Sequence, residues 1–255
     1  LGGSTTYGLG LSYAKTYPKL LQDRLDQEAG KNRYEVINAG MSAYRLHHIA
    51  ALYSREIARL EPDVVILMNV VNNLVADAGD FAFIRIEGED NNTLRRLSKK
   101  IVAKTRRYSL LINSIDNIAQ KGFRYFLVDF NFARGAQAIM RSTNMWNRLS
   151  EDLHGLFSLF SRHNSGVHVF VLDEPINTLG FPELAPPMEK AYGIQQAVSE
   201  NFDNVHHVAL MPVFNEAQNR GEKIWIAYSD PLHLSRDGND LLARVLCREI
   251  MALQQ

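Results

Sequence analysis

The chain of 255 residues holds one cysteine, Cys247, which excludes an internal disulfide and any zinc site built from several thiolates. Cys247 sits in an apolar-periodic C-terminal segment and reads as buried packing. There is no net charge, since 28 basic residues balance 28 acidic ones, so no global field favours nucleic acid or an acidic polymer as partner. Long apolar runs are also missing: the longest, Val64 to Val71, is broken by Asn69 and falls far short of the ~20 residues that span a bilayer. No internal repeat, low-complexity tract or Pro/Gly linker divides the chain, so residues 1–255 read as one domain. The first residue is Leu1 rather than Met, which leaves a leader peptide and the compartment open, and no feature speaks to oligomeric state.

What is present is a globular balance, 46% hydrophobic and 22% charged, enough to bury a sizeable core. Short β-branched runs alternate with longer helical patterns, as in an α/β protein with a parallel sheet and crossover helices. The expected strands are Tyr34 to Asn38, Asp63 to Val70, Val167 to Leu172 and Val205 to Leu210. The expected helices run from about Tyr17 to Ala29, Leu46 to Leu60, Thr93 to Gln120, Asn144 to Arg162, Pro187 to Asn201 and Arg236 to Leu253. Pro18 suits a first helical turn, and Ser235 suits the N-cap of the last helix.

The opening Leu1-Gly2-Gly3-Ser4-Thr5-Thr6-Tyr7-Gly8 is glycine-rich. As a phosphate loop it fails, because Leu9 rather than Lys follows Gly8. As a dinucleotide fingerprint it lacks a third glycine after Gly8-Leu9-Gly10. Two readings survive: an ordinary Gly/Ser turn, or a serine on a tight turn after a strand, where small neighbours let a carbonyl reach the hydroxyl. The second reading expects a strand ahead of Leu1. Near the other end, Asp230-Pro231-Leu232-His233 places a carboxylate three residues before an imidazole on a stiffened turn. Such a carboxylate can hold Nδ1–H and leave Nε2 to take a proton from a serine. An Asp cap beside a surface His is the bland alternative.

Together, GGSTTYG and DPLHLSRDGN resemble the first and last blocks of the SGNH (GDSL-like) hydrolases, in the order Ser, Asp, His. Val36-Ile37-Asn38-Ala39-Gly40 is similar to the second block, and Asn69-Val70-Val71-Asn72-Asn73-Leu74 to the third. The resemblance implies a three-layer α/β/α sandwich around a flavodoxin-like parallel sheet of about five strands, counting one ahead of Leu1. It also implies Ser4 as nucleophile, Asp230 and His233 as its partners, and an oxyanion hole of Ser4 N–H, Gly40 N–H and the Asn72 side chain, with no cofactor and no metal. The chain departs from the family pattern with Gly3 for the usual Asp, Val70 for the usual Gly and Asn73 for the usual Asp. Val70 could narrow the pocket, and Asn69 and Asn73 stand as rival donors.

The middle third carries no motif and reads as a helical and aromatic insert at about 75–145. Residues 94–107 hold seven basic side chains, Arg95, Arg96, Lys99, Lys100, Lys104, Arg106 and Arg107, and no acidic one. They form a solvated helix face or a contact for anionic lipid or glycan. Phe123, Tyr125, Phe126, Phe130 and Phe132 line either a pocket or core. The doublets His47-His48 and His206-His207 lack the i, i+4 spacing of a chelating pair. The expected activity is hydrolysis of a small-alcohol, sugar or lipid ester, with no nucleic-acid partner. The alternatives are a glycan-handling O-acyltransferase, a non-catalytic relative, or a membrane-surface module using the basic helix.

Overall fold

A computed structural model describes residues 1–77, 136–137, 139–227 and 230–253. Three parallel strands, β1 (Val64–Leu67), β2 (His168–Leu172) and β3 (Val205–Val208), form a sheet in the order β1-β2-β3. Val65 pairs with Val169 and Leu67 with Val171, while Val169 pairs with Val205. Successive side chains point to opposite faces of a strand, so this register builds two cores. One face carries Val65, Leu67, Val169, Val171 and Val205, and the other Met68, Phe170, Leu172 and Val208.

Each face is covered by helices, which suits the apolar runs of β1 (VVIL) and of Val169–Leu172 in β2. On the first face lie α3 (Leu46–Leu52), α5 (Thr143–His163) and α6 (Ala185–Ser199), contributing Ile49, Phe157, Phe160 and Ala191 to the core. On the second lie α2 (Tyr17–Ala29), α7 (Met211–Asn219) and α8 (Arg236–Ala252), contributing Leu21, Leu25, Phe214, Leu242 and Leu246. The result is the expected three-layer α/β/α arrangement. Pro18 stands in the first turn of α2, and the Ser235 hydroxyl accepts from Asp237 N–H and Gly238 N–H to cap α8, both as the sequence predicts. Two short helices, α1 (Ser4–Tyr7) and α4 (Val71–Asp77), complete the set used below.

Several expectations are corrected. Three of the four strands expected within the sequence stand among the described residues; the fifth was expected ahead of Leu1. Tyr34 to Asn38 forms no strand: only Leu1 and Gly2 lie between this segment and β1, through parallel bridges from Gly2 to Gly40 and to Met68. Residues 34–39 and Val64–Ile66 both line a groove of about 1150 Å³. β-propensity cannot make a ladder without an adjacent partner. The helix expected over 46–60 widens into a π-helical turn at Tyr53–Ile57, tightens to a 3₁₀ turn at Ala58–Leu60, and ends at Glu61 with φ 47°. α4 and α7 were not anticipated. The helix expected at Thr93 to Gln120, its basic face and the Phe123–Phe132 aromatics lie outside the described residues.

Candidate active site

The first, second, third and last motif blocks meet at the C-terminal edge of the sheet. Gly2 bridges Gly40 on one side and Met68, just beyond β1, on the other. Met41 N–H donates to Gly2 O at 3.0 Å and Met68 N–H to Leu1 O at 3.1 Å, so the segment leading to Ser4 is held from both sides. Two glycines allow this approach. A Cβ on Gly40 would lie 2.5 Å from Tyr7 N, and one on Gly3 would overlap Asn72 Nδ2. Ser4 is the first residue of α1, so its own N–H has no helical acceptor.

The Asp230–His233 turn faces that serine. Asp230 Oδ1 accepts from Leu232 N–H at 2.9 Å and from His233 N–H at 2.8 Å. Its Oδ2 lies 2.9 Å from His233 Nδ1, and His233 Nε2 lies 2.9 Å from Ser4 Oγ. Burial alone would push the Asp230 carboxyl up, but the hydrogen bonds from the His233 ring, His233 N–H and Leu232 N–H outweigh it and hold it below the usual range. An ionised carboxylate can only accept, so Nδ1 carries the ring proton and Nε2 accepts from the Ser4 hydroxyl. The turn itself is anchored by Asn177 N–H on Pro231 O at 2.9 Å and by Ile226 N–H on His233 O at 3.0 Å.

The expected oxyanion donors divide. Asn72 lies against Gly3, partly exposed, with its Nδ2 donating to Tyr44 O at 3.0 Å. An amide nitrogen has a second N–H beyond that bond. Asn69, buried, also donates to Tyr44 O at 2.8 Å. Asn73 is buried, and its Oδ1 accepts from Leu46 N–H at 2.8 Å, which ties it to the start of α3. Gly40 N–H donates to Asn38 Oδ1 at 2.9 Å, and Asn38 Nδ2 to Thr6 O at 3.1 Å. The Val70 side chain is fully buried in the first core, so it packs inward and does not line an open pocket.

The histidine doublets behave differently from one another. His206 Nε2 meets His168 Nδ1 at 3.0 Å and His207 Nε2 meets Asp173 Oδ1 at 2.8 Å, pointing apart as neighbours on a strand do. His47 and His48 instead converge, with their Nε2 atoms 3.2 Å apart on the surface. Among the described residues no three His, Cys, Asp or Glu side chains gather as a metal site would require.

Sequence reading missed Glu174. It follows β2, is 3% exposed, and its carboxylate accepts from Val70 N–H at 3.1 Å, Val71 N–H at 2.9 Å and the Thr5 hydroxyl at 3.4 Å. The available signal was Asp173-Glu174-Pro175, two carboxylates straight after the apolar run Val169–Leu172, at the sheet edge where α/β sites assemble.

The fold is that of α/β-hydrolase-like enzymes. Similar solved structures include an α/β-hydrolase enzyme from the metagenome of Lake Arreo, Spain, at 16% identity, covering 96% of this chain and 90% of that one with a TM-score of 0.61. A catalytic mutant of an acetylxylan esterase from Geobacillus stearothermophilus, with a serine changed to alanine, matches at 16% identity, 98% and 91% coverage and a TM-score of 0.60. An acetyl xylan esterase matches at 15% identity, 98% and 96% coverage and a TM-score of 0.58. No curated protein sequence matches the chain. The profile of the GDSL-like Lipase/Acylhydrolase family matches residues 1–241, and the chain belongs to that family of ester-bond hydrolases.

Proposed function

We propose that the chain cleaves carboxylic esters through an acyl-enzyme on Ser4, with His233 as general base and acid and Asp230 as its orienting partner. The observation that carries this reading is the unbroken line from Asp230 Oδ2 through His233 to Ser4 Oγ, with both hydrogen bonds at 2.9 Å. His233 Nε2 takes the Ser4 proton as Oγ attacks the ester carbonyl. The resulting oxyanion is held by Ser4 N–H, by the second Asn72 N–H, and by Gly40 N–H shared with Asn38 Oδ1. The imidazolium then protonates the leaving alcohol as the C–O bond breaks. Water repeats the sequence on the acyl-enzyme, releasing the acid and restoring Ser4.

The substrate is an ester of a small alcohol, a sugar or a lipid. Acetylated sugars come first for testing, because two of the similar structures are named as acetyl xylan esterases, and one of these is a catalytic mutant made by replacing a serine. A fluorophosphonate probe should label the protein once, at Ser4, and leave Ser4→Ala unlabelled. Labelling at another residue, or none on folded protein, would refute the assignment. A chain-length series of activated esters, run beside acetylated sugars on both proteins, then fixes the acyl preference.

Among the three asparagines, Asn72 is the proposed oxyanion donor, since Asn73 is tied to Leu46 N–H and Asn69 is buried. Removing one such donor costs about 100- to 1000-fold in turnover. Asn72→Ala should show that loss with a thermal midpoint close to the parent's. If Asn73→Ala is the variant that loses turnover while keeping its fold, the donor has been placed one residue too early.

A further inference from the structure

We propose that Glu174 is a positioning residue of this reaction: its buried carboxyl group clamps the turn carrying Ser4 to the turn carrying Asn72. The proposal rests on the hydrolase reading above. Glu174 Oε2 accepts both Val70 N–H and Val71 N–H, the two amides immediately before Asn72. Glu174 Oε1 accepts from Thr5, the residue immediately after Ser4. One side chain therefore joins two elements about 65 positions apart in sequence, each carrying a group that must meet the same carbonyl carbon or oxygen.

The backbone of Glu174 is itself held, since Tyr192 on α6 donates its hydroxyl to Glu174 O. Burial pushes the Glu174 carboxyl above the usual carboxylate range, against the opposing bonds from Val71 N–H, Val70 N–H and the Thr5 hydroxyl. A carboxyl oxygen at this position accepts the two amides whether the group is charged or neutral.

The test compares the parent with Glu174→Gln, Glu174→Ala and Thr5→Val. Hydrolysis of p-nitrophenyl acetate gives kcat and KM, and the rate of fluorophosphonate labelling at Ser4 is read beside thermal midpoints. Gln keeps an oxygen for the two amides, so its kcat should stay close to the parent's. Ala loses the clamp, and kcat should fall about 100-fold with KM within about twofold. Thr5→Val, which removes one arm of the clamp, should lower kcat by less and leave KM in place. A folded Glu174→Ala with the parent's kcat overturns the proposal, as does a folded Glu174→Gln as impaired as Ala. If Glu174→Ala does not fold, a Thr5→Val enzyme with the parent's kcat overturns it instead. Absent labelling of the parent at Ser4 would count against the hydrolase reading alone, whereas a labelled parent with an equally active Glu174→Ala counts against the clamp alone.

Discussion

His233→Ala is expected to lower ester turnover by about a million-fold, the scale at which a serine-hydrolase base or nucleophile acts as part of a unit. Ser4→Ala should lose a similar amount, and the double variant little more, because each single change already breaks the same step. The residue of activity left in all three should come from the oxyanion donors and substrate binding. Folding should be nearly unaffected, since among the described residues Ser4 Oγ bonds only to the ring of His233, and both side chains are partly exposed. Steady-state rates on an activated acetyl ester, read beside thermal midpoints, check the prediction. A His233→Ala enzyme within about 100-fold of the parent would mean that another group takes the Ser4 proton. The same variant should also lose the fall in rate at acid pH, because an alanine has nothing to protonate.

Much of this site could be read from the sequence because its chemistry is local. Asp230 and His233 are three residues apart, and the proline between them helps fix the turn that lets Oδ2 reach Nδ1. Gly2, Gly3 and Ser4 are contiguous; a Cβ on Gly2 would strike Thr6 and Met68 O, and one on Gly3 would strike the Asn72 side chain. The cap of α8 was equally local, a Ser235 hydroxyl on amides two and three residues ahead. Glu174 escaped because its partners, Thr5, Val70 and Val71, stand roughly 100 residues or more away along the chain. No spacing rule reaches that far; the contact exists only once β2 lies beside β1.

The misread elements share a physical cause. Tyr34 to Asn38 has the residues of a strand, yet strand formation depends on neighbours, and it meets the sheet only near Gly40. α7 carried a start signal in Pro212, but its buried positions, Phe214 and Ala217, are too few to show a helical period in the sequence. The Val71–Asp77 helix was hidden by polar residues at 72 and 73, whose side chains bond Tyr44 O and Leu46 N–H rather than forming a core stripe. In each case tertiary placement overrode a weak local preference.

Asp230→Asn tests the orienting carboxylate and separates its effect on rate from its effect on charge. The amide oxygen can still accept Leu232 N–H and His233 N–H, so the turn should keep its shape. Its NH₂ group, however, faces Nδ1 as a donor, which favours the tautomer with the proton on Nε2. That tautomer offers Ser4 no lone pair, and the loss can reach about 10,000-fold. The surviving rate should also change its pH dependence. In the parent, turnover should fall as acid charges the imidazole, because the charged ring cannot take the Ser4 proton. Asp230 stays ionised through that range, its carboxyl being held below the usual value by the bonds from His233 and Leu232 that outweigh burial. An adjacent anion favours imidazolium, so removing it should move the acidic limb to lower pH. Stability follows the opposite end of the scale. A carboxylate depressed in the folded state adds stability that is present above about 3.9, its unfolded value, and is lost as pH falls through the folded value. The parent's thermal midpoint should therefore exceed that of Asp230→Asn near neutrality, and the gap should close in strong acid. An Asp230→Asn enzyme that keeps more than about a tenth of the parent's rate with an unmoved acidic limb would remove Asp230 from the mechanism.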